Sequence, residues 1–225
     1  WSDAPVSHIV VTPPVPSFPL NPDKADWSVW DFPDVVDHWN FPGYEGKKMT
    51  VSVYSNCEQV ELFLNGESLG KQENTADKKN TLVWEVPYAH GILKAVSYNK
   101  GGEVGTATLE SAGKVEKIRL SADRTEIVAD GNDLSYITLE LVDSKGIRNQ
   151  LAEELVEFSI EGDATIEGVG NANPMSIESF VANSRKTWRG SNLLVVRSGK
   201  SSGRIIVTAK VKALPVASIT ITQKK

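Results

Sequence analysis

The sequence is poor in the residues that build disulfides and metal sites. Its 225 residues include one cysteine, Cys57, and three histidines, His8, His38 and His90. A single cysteine cannot form an internal disulfide, and the histidines do not have the spacing of a zinc site. We therefore expect no disulfide framework, no metal and no other cofactor.

Long apolar runs and basic clusters are also missing from the sequence. No stretch approaches the roughly 20 apolar residues that a membrane-spanning helix needs. The formal net charge is −5, with both signs mixed along the chain, whereas nucleic-acid binding requires a clustered basic face. The composition therefore argues against a membrane span and against a nucleic-acid partner.

The chain begins without a secretory signal pattern. Because Trp1-Ser2-Asp3 is not a natural start, we expect the sequence to be cut from a longer parent protein. The missing signal then says nothing about the compartment in which the parent works.

Sequence patterns of common catalytic sites are not found either. There is no G-x-S-x-G nucleophile elbow, and Gly168–Asn173 lacks the third glycine of a dinucleotide fingerprint. The strand–helix alternation of a (β/α)₈ barrel, which could hold a pair of catalytic carboxylates, is missing too. Glu153-Glu154 and the pair Asp130 and Asp133 are interpreted as solvated surface charge. We assign no catalytic residue.

What the sequence does contain is a series of β-strand patterns. Val60, Leu62 and Leu64 alternate with polar or outward residues, which is the period of a strand. Asn65-Gly66 follows, and both residues tolerate the positive φ of a tight hairpin turn. This run predicts a strand, a turn and a returning strand.

The same rhythm continues on both sides of the Asn65-Gly66 hairpin. In the first half, further strands are predicted from Lys48, over 82–86, 93–98 and 104–109. After a boundary at Ala112-Gly113, a second series is predicted around positions 118–120, 137–141, 156–160, 193–196, 205–211 and 217–221. Leu193–Val196 has the composition of a buried strand. Only Ile177–Ser184 has helix-like spacing, but it is short and uncapped, so a helix is not favoured there.

Residues 1–46 differ from the rest of the chain. Thr12–Pro19 is rich in proline and cannot join the interior of a sheet. Many aromatic residues follow it, so this segment is expected to pack on a sheet or on a neighbouring domain.

These patterns predict an all-β protein. We expect two tandem immunoglobulin-like antiparallel β-sandwiches, over 47–112 and 113–225, preceded by an irregular Pro-rich and aromatic segment over 1–46.

Tryptophan supplies the candidate binding residues. The C–H face of a sugar stacks on an aromatic ring, so exposed tryptophans can bind a glycan. Trp27, Trp30 and Trp39 lie in the irregular segment, and Trp188 lies between cationic residues. We name these four as candidate carbohydrate-binding residues, with packing on a sandwich or on an adjacent domain as the alternative.

Several blocks of sequence resemble the C-terminal β-sandwich region of bacterial β-galactosidases of glycoside hydrolase family two. In the first half these blocks are His38–Asn40, Val60–Gly70, Trp84–Tyr88 and Gly91–Ala95, and in the second half they are Ala129–Ser135 and Gly168–Asn171. Ala172 stands where the family pattern has glycine. The stretch from Ile9 to Asp37 is longer than the corresponding stretch of the family pattern, and the resemblance therefore implies an insertion there.

The resemblance implies a parent that is a retaining exo-glycosidase acting on β-galactosides, with its two catalytic glutamates on a barrel that precedes Trp1. It implies that the partners of this chain are that barrel and the other domains of the parent. It also implies a periplasmic, cell-surface or secreted parent.

Three functions stay open at the level of sequence. The first is a non-catalytic part that braces the barrel, shapes the rim of its active site or contributes to an oligomer interface. The second is a carbohydrate-binding module that uses the four tryptophans. The third is an adhesive or spacer pair of immunoglobulin-like domains.

Overall fold

The computed structural model describes residues 4–17 and 33–225. The chain divides into two compact units, residues 1–111 and residues 112–225. Strands dominate both units, which confirms the all-β class predicted from the sequence.

Unit 1 contains two antiparallel sheets. A three-stranded sheet has the order β1-β2-β5, and a four-stranded sheet has the order β4-β3-β6-β7. Their strands are β1 (Ser7–Val11), β2 (Lys48–Ser55), β3 (Gln59–Leu64), β4 (Glu67–Glu73), β5 (Thr81–Pro87), β6 (Ile92–Asn99) and β7 (Gly102–Glu110).

The predicted hairpin is confirmed in unit 1. β3 and β4 pair antiparallel and Leu64 lies opposite Glu67. Asn65 and Gly66 have φ values of 51° and 87°, the positive values that a two-residue turn of this type requires. The pattern of the sequence therefore sets the register of this hairpin.

The core of unit 1 lies between its two sheets. Val51 and Val53 of β2 and Leu82 of β5 come from one sheet, and Val60 and Leu62 of β3 come from the other. All five are fully buried. Since successive strand residues point to opposite faces, their neighbours in sequence lie on the outer faces of the sheets.

The prediction that residues 1–46 are irregular throughout is wrong for Ser7–Val11. This short segment is β1, and it pairs antiparallel with β2 from Ser7 opposite Ser55 to Val11 opposite Val51. Val36 then forms a bridge with Val11. The β-branched run Ile9-Val10-Val11 is buried and drives the pairing; the neighbouring prolines hid this signal in the sequence.

Unit 2 also contains two sheets. The four-stranded sheet has the order β12-β14-β10-β8, and the five-stranded sheet has the order β13-β11-β15-β16-β9. Their strands are β8 (Lys117–Ala122), β9 (Glu126–Val128), β10 (Leu134–Val142), β11 (Leu155–Glu161), β12 (Ala164–Gly170), β13 (Ser184–Lys186), β14 (Ser191–Ser198), β15 (Gly203–Val211) and β16 (Ala217–Lys224).

Inward rows from both sheets form the core of unit 2, among them Leu139 of β10 and Val207 of β15. The expectation of an entirely buried strand at Leu193–Val196 is wrong. Within β14, Leu194 and Val196 are buried, but Leu193 is 41% exposed. One face of this strand is covered by the core and the other is not, so its side chains alternate although its sequence does not.

Helical structure is almost absent from the described part of the chain. A short 3₁₀ turn spans Ala76–Lys78, and Ile177–Ser184 forms no helix. None of the described helical segments has the length and apolar character to span a membrane.

Candidate functional site

Trp39, one of the four candidate carbohydrate-binding residues, is fully buried in unit 1. Its ring packs edge-on against Tyr88 at 5.0 Å and against Phe41 at 6.0 Å between ring centroids. Its Nε1–H donates to the carbonyl of Ala89 at 2.8 Å, and the hydroxyl of Ser111 donates to its carbonyl. No face of this ring is free for a sugar, so the prediction that Trp39 binds carbohydrate is corrected: it is a core residue.

The other three tryptophans have different outcomes. Trp27 and Trp30 lie outside the described residues. Trp188 is half-buried, and the guanidinium of Arg189 lies 4.6 Å from the centroid of its ring. Its role in carbohydrate binding stays a prediction.

The acidic residues Asp130 and Asp133 organise a turn in unit 2. Asp130 Oδ1 accepts from the backbone N–H groups of Asn132 at 2.7 Å and Asp133 at 2.9 Å. Asp133 accepts from the N–H of Val128 at 2.8 Å and pairs with Arg124 at 2.8 Å. These bonds lower the pKa of both carboxyls, the opposite of the raised pKa that a catalytic acid requires. Their chemistry is that of structural acceptors.

Asp143 is a buried carboxylate of unit 2 that directly follows β10. Its Oδ2 accepts from the N–H of Gly113 at 2.8 Å, and its Oδ1 accepts from the N–H groups of Lys145 and Ile147, both at 2.9 Å. Burial alone would raise its pKa, but the hydrogen bonds outweigh burial, and the net pKa is lowered from its ordinary value of 3.8. Asp143 therefore fastens Gly113 to the turn that follows β10.

We expect Asp143→Asn to destabilise unit 2 at pH 7 by about 1–2 kcal/mol, because the amide cannot accept from all three donors. A carboxylate with a lowered folded-state pKa contributes its full stability above the unfolded value of 3.8. It loses that contribution as the pH falls through the folded-state pKa. The stability gap between wild type and variant should therefore close in acid. Urea titrations of both proteins from pH 7 to pH 3 measure it, and a gap that stays constant with pH would contradict this role of Asp143.

Exposed apolar side chains concentrate in one loop of unit 2. The β12–β13 loop, residues 171–183, connects β12 to β13. In this loop Ile177 is 100% exposed, Val181 80%, Met175 68% and Phe180 62%. Exposed large apolar side chains in one loop make it a candidate interaction surface.

Arg185, a fully buried residue of β13, holds the β12–β13 loop in place. Its Nη1 donates to the carbonyls of Val169 at 3.2 Å and Glu178 at 3.1 Å. Its Nη2 donates to the hydroxyl of Ser176 at 3.1 Å, and its guanidinium lies 4.2 Å from the centroid of the Phe180 ring. The loop is therefore organised from inside the unit while its apolar side chains face outward.

Sequence reasoning did not identify the β12–β13 loop as a candidate site. Ile177, Phe180 and Val181 were noticed only for their helix-like spacing. The sequence does contain a pattern that indicates this loop. Apolar residues cluster there between turn-forming residues, and Arg185 follows them.

Within residues 4–17 and 33–225, no cluster of three or more histidine, cysteine or acidic side chains has the placement of a metal site.

Two protein families match the chain, one within each structural unit. Residues 118–220 match the family glycoside hydrolase family 2 C-terminal domain 5. Residues 46–105 match the family described as domain of unknown function DUF4982.

Curated relatives match both units together. A β-galactosidase of Bacteroides ovatus is 32% identical over 203 residues, which are 90% of this chain and 24% of that protein. A β-galactosidase of Thermoanaerobacter pseudethanolicus is 30% identical over 186 residues, which are 76% of this chain and 23% of that protein. The chain thus spans about a quarter of the length of these relatives.

A solved structure of a glycosyl hydrolase family 2 member from Bacteroides cellulosilyticus is 95% identical, with a TM-score of 0.93. The match covers 99% of this chain and 29% of that one. A β-glycosidase from Bacteroides vulgatus is 26% identical with a TM-score of 0.82, over 99% of this chain and 25% of that one.

The matches and the fold define a class, the C-terminal β-sandwich domains of multidomain glycoside hydrolases. The chain belongs to glycoside hydrolase family 2, as the sequence blocks that resemble this family predicted.

Proposed function

We propose that this chain is the non-catalytic C-terminal part of a β-galactosidase-type or β-glucuronidase-type glycosidase and that it braces the catalytic domain of that enzyme. The two β-galactosidases named above and a β-glucuronidase of Formosa agariphila, which is 30% identical over 88% of this chain and 20% of that protein, support the parent activity. The carboxylates of unit 2 described above act as structural acceptors, which fits a supporting role. We also propose, from the family resemblance alone, that the parent is periplasmic, cell-surface or secreted.

The observation that carries the bracing role is the β12–β13 loop. Exposing an apolar side chain such as Ile177 to water contributes no stability. Arg185 nevertheless fixes the loop in a conformation in which this side chain is exposed. Preorganising a loop before binding lowers the entropy that binding costs. The loop is therefore suited to insert its apolar side chains against another domain of the parent enzyme.

The aromatic segment is predicted to pack on a sheet or on a neighbouring domain. Its described residues Trp39 and Phe41 do the first, since both lie in the core of unit 1. The apolar surface that supports bracing is in unit 2 instead.

The double variant Ile177→Ser/Val181→Ser tests the bracing role. In the full-length parent we expect it to destabilise the enzyme by about 2 kcal/mol for each side chain that docking buries. In the 225-residue chain alone we expect a change within about 0.5 kcal/mol, because both side chains are exposed there. Calorimetry of both proteins measures the difference.

A matched variant controls for the loss of apolar surface elsewhere. Val128→Ser/Val216→Ser removes two exposed valines of unit 2 that lie outside the loop, and the parent should tolerate it. A parent that is equally stable with the loop variant and with wild type would refute docking through this loop.

The proposed lack of catalysis is tested separately. The 225-residue chain should not hydrolyse chromogenic β-galactosides or β-glucuronides that the full-length parent hydrolyses. Turnover by the short chain that survives repurification would show that it holds its own carboxylate pair.

A further inference from the structure

A groove runs across the outer face of the four-stranded sheet in unit 1. It has a volume of about 590 Å³ and lies on the side of the sheet opposite the core. We call it the outer groove and define it by the side chains of Phe63, Ile92, Lys94, Val96, Tyr98 and Glu103.

Strand alternation explains why apolar side chains line this face. Leu62 of β3 and Ala95 of β6 point into the core, so their neighbours Phe63 and Val96 point outward. Val96 is only 5% exposed although it is not part of the core cluster. It forms the floor of the groove, and the half-buried Phe63 contributes an aromatic wall.

Tyr98 forms a second, fixed wall of the outer groove. Its hydroxyl donates to Glu61 Oε2 at 3.3 Å. The ammonium of Lys71 lies 3.5 Å from the centroid of its ring and 3.9 Å from the Glu61 carboxylate. These contacts hold the ring in one orientation, so the groove is formed before any ligand arrives.

Two charged groups at the groove are free to bind a ligand. Lys94 and Glu103 are exposed and form no hydrogen bond or ion pair with any of the residues that the structure describes. Lysine offers only donors, and an ionised glutamate offers only acceptors. The groove therefore combines apolar and aromatic walls with one donor and one acceptor, the composition of a small-ligand site.

This combination fits a sugar better than it fits a protein partner. Each sugar hydroxyl both donates and accepts, and the C–H face of a pyranose is apolar. The buried core of a protein interface, by contrast, is depleted in lysine and glutamate, which would lose their hydration there. We propose that the outer groove binds adjacent pyranose units of an oligosaccharide, one with its C–H face on Phe63 and its hydroxyls at Lys94, and another toward Tyr98 and Glu103. The strand register places these two ends of the groove about 13 Å apart.

No described tryptophan lines the outer groove, so neither Trp39 nor Trp188 contributes to it. The proposal is also independent of the bracing role, because that role rests on a loop of unit 2. A failure of either proposal leaves the other intact.

The 225-residue chain can be titrated with cellotetraose, xylotetraose and a galactan tetrasaccharide while backbone amide signals are followed by NMR. We expect saturable shifts in β3, β6 and β7 for at least one sugar, with a Kd of about 1 mM or tighter.

Variants locate the binding site. Phe63→Ala should weaken binding about tenfold, since an aromatic wall contributes on this scale. Tyr136→Ala, which removes a 41% exposed ring from unit 2, should leave binding unchanged. If Phe63→Ala fails to fold, Lys94→Met replaces it as the test. Lys94 is exposed, so this variant should fold, and it should weaken binding because it removes the donor.

Three results would overturn the proposal. The first is the absence of saturable shifts with all three sugars up to about 10 mM. The second is a set of shifts that maps to Trp188 rather than to the groove. The third is binding that survives both Phe63→Ala and Lys94→Met.

Discussion

Replacing Trp39 by alanine should destabilise unit 1 by about 3–5 kcal/mol, the range for removing a large aromatic side chain from a core. The ring is fully buried and contacts Tyr88 and Phe41 edge-on. The variant also leaves the carbonyl of Ala89 without its donor. Two costs therefore combine at one position, a cavity and a lost buried hydrogen bond.

Urea unfolding followed through amide signals of each unit measures the effect of Trp39→Ala. Trp188→Ala is the matched control, because it makes the same chemical change at a half-buried ring, and it should cost about 1 kcal/mol or less. Equal losses for the two variants would mean that Trp39 is not the centre of a packed cluster.

Replacing Gly190 by alanine should destabilise unit 2 by about 2–5 kcal/mol. Gly190 lies in the two-residue turn between Trp188 and Ser191, at φ 70°. An added Cβ would lie 2.2 Å from the carbonyl oxygen of Asn149, whose own N–H bonds to Leu141. The backbone on both sides is fixed by hydrogen bonds, so the clash cannot be relieved by a side-chain rotation.

Gly66→Ala separates backbone strain from the clash. Gly66 also has a positive φ, 87°, but nothing lies within 4 Å of a Cβ added there. This variant should cost only the strain of about 1–2 kcal/mol. If chemical denaturation gives the two variants the same stability, then Asn149 moves aside freely and the turn is looser than its hydrogen bonds indicate.

Much of the fold could be predicted because it depends on local patterns. The hairpin at Asn65-Gly66 combines strand alternation with a turn that only a few residue pairs form easily. Rows of inward-facing strand residues such as Ile137 and Leu139 could be predicted for the same reason. A strand that is buried on one face has apolar residues at every second position.

The remaining features depend on contacts between distant residues. The burial of Trp39 requires Tyr88, which is about fifty positions away in the sequence. The segment around Trp39 has no strand or helix period that would indicate which aromatic rings face inward. β1 is similar, because these five residues before a proline run form a strand only by pairing with the edge of β2.

The candidate sites were predictable only in part. The alternation that places Leu62 inward also places Phe63 outward, so the sequence implies an aromatic ring on the outer face of β3. That Tyr98 lies on the same face as a second wall follows from the pairing of β3 with β6, in which Phe63 lies opposite Lys94 and Tyr98 lies opposite Gln59. Sequence alone does not give that register.

The order of strands in unit 2 has a consequence for its synthesis. β16, over Ala217–Lys224, lies between β15 and β9, and it is the parallel partner of β9 at Glu126–Val128. As the ribosome makes the chain, β9 emerges almost ninety residues before the strand on which it will lie. The five-stranded sheet therefore cannot be completed co-translationally until residue 224 has left the exit tunnel, and chains truncated after β15 should be substrates for chaperones and proteases.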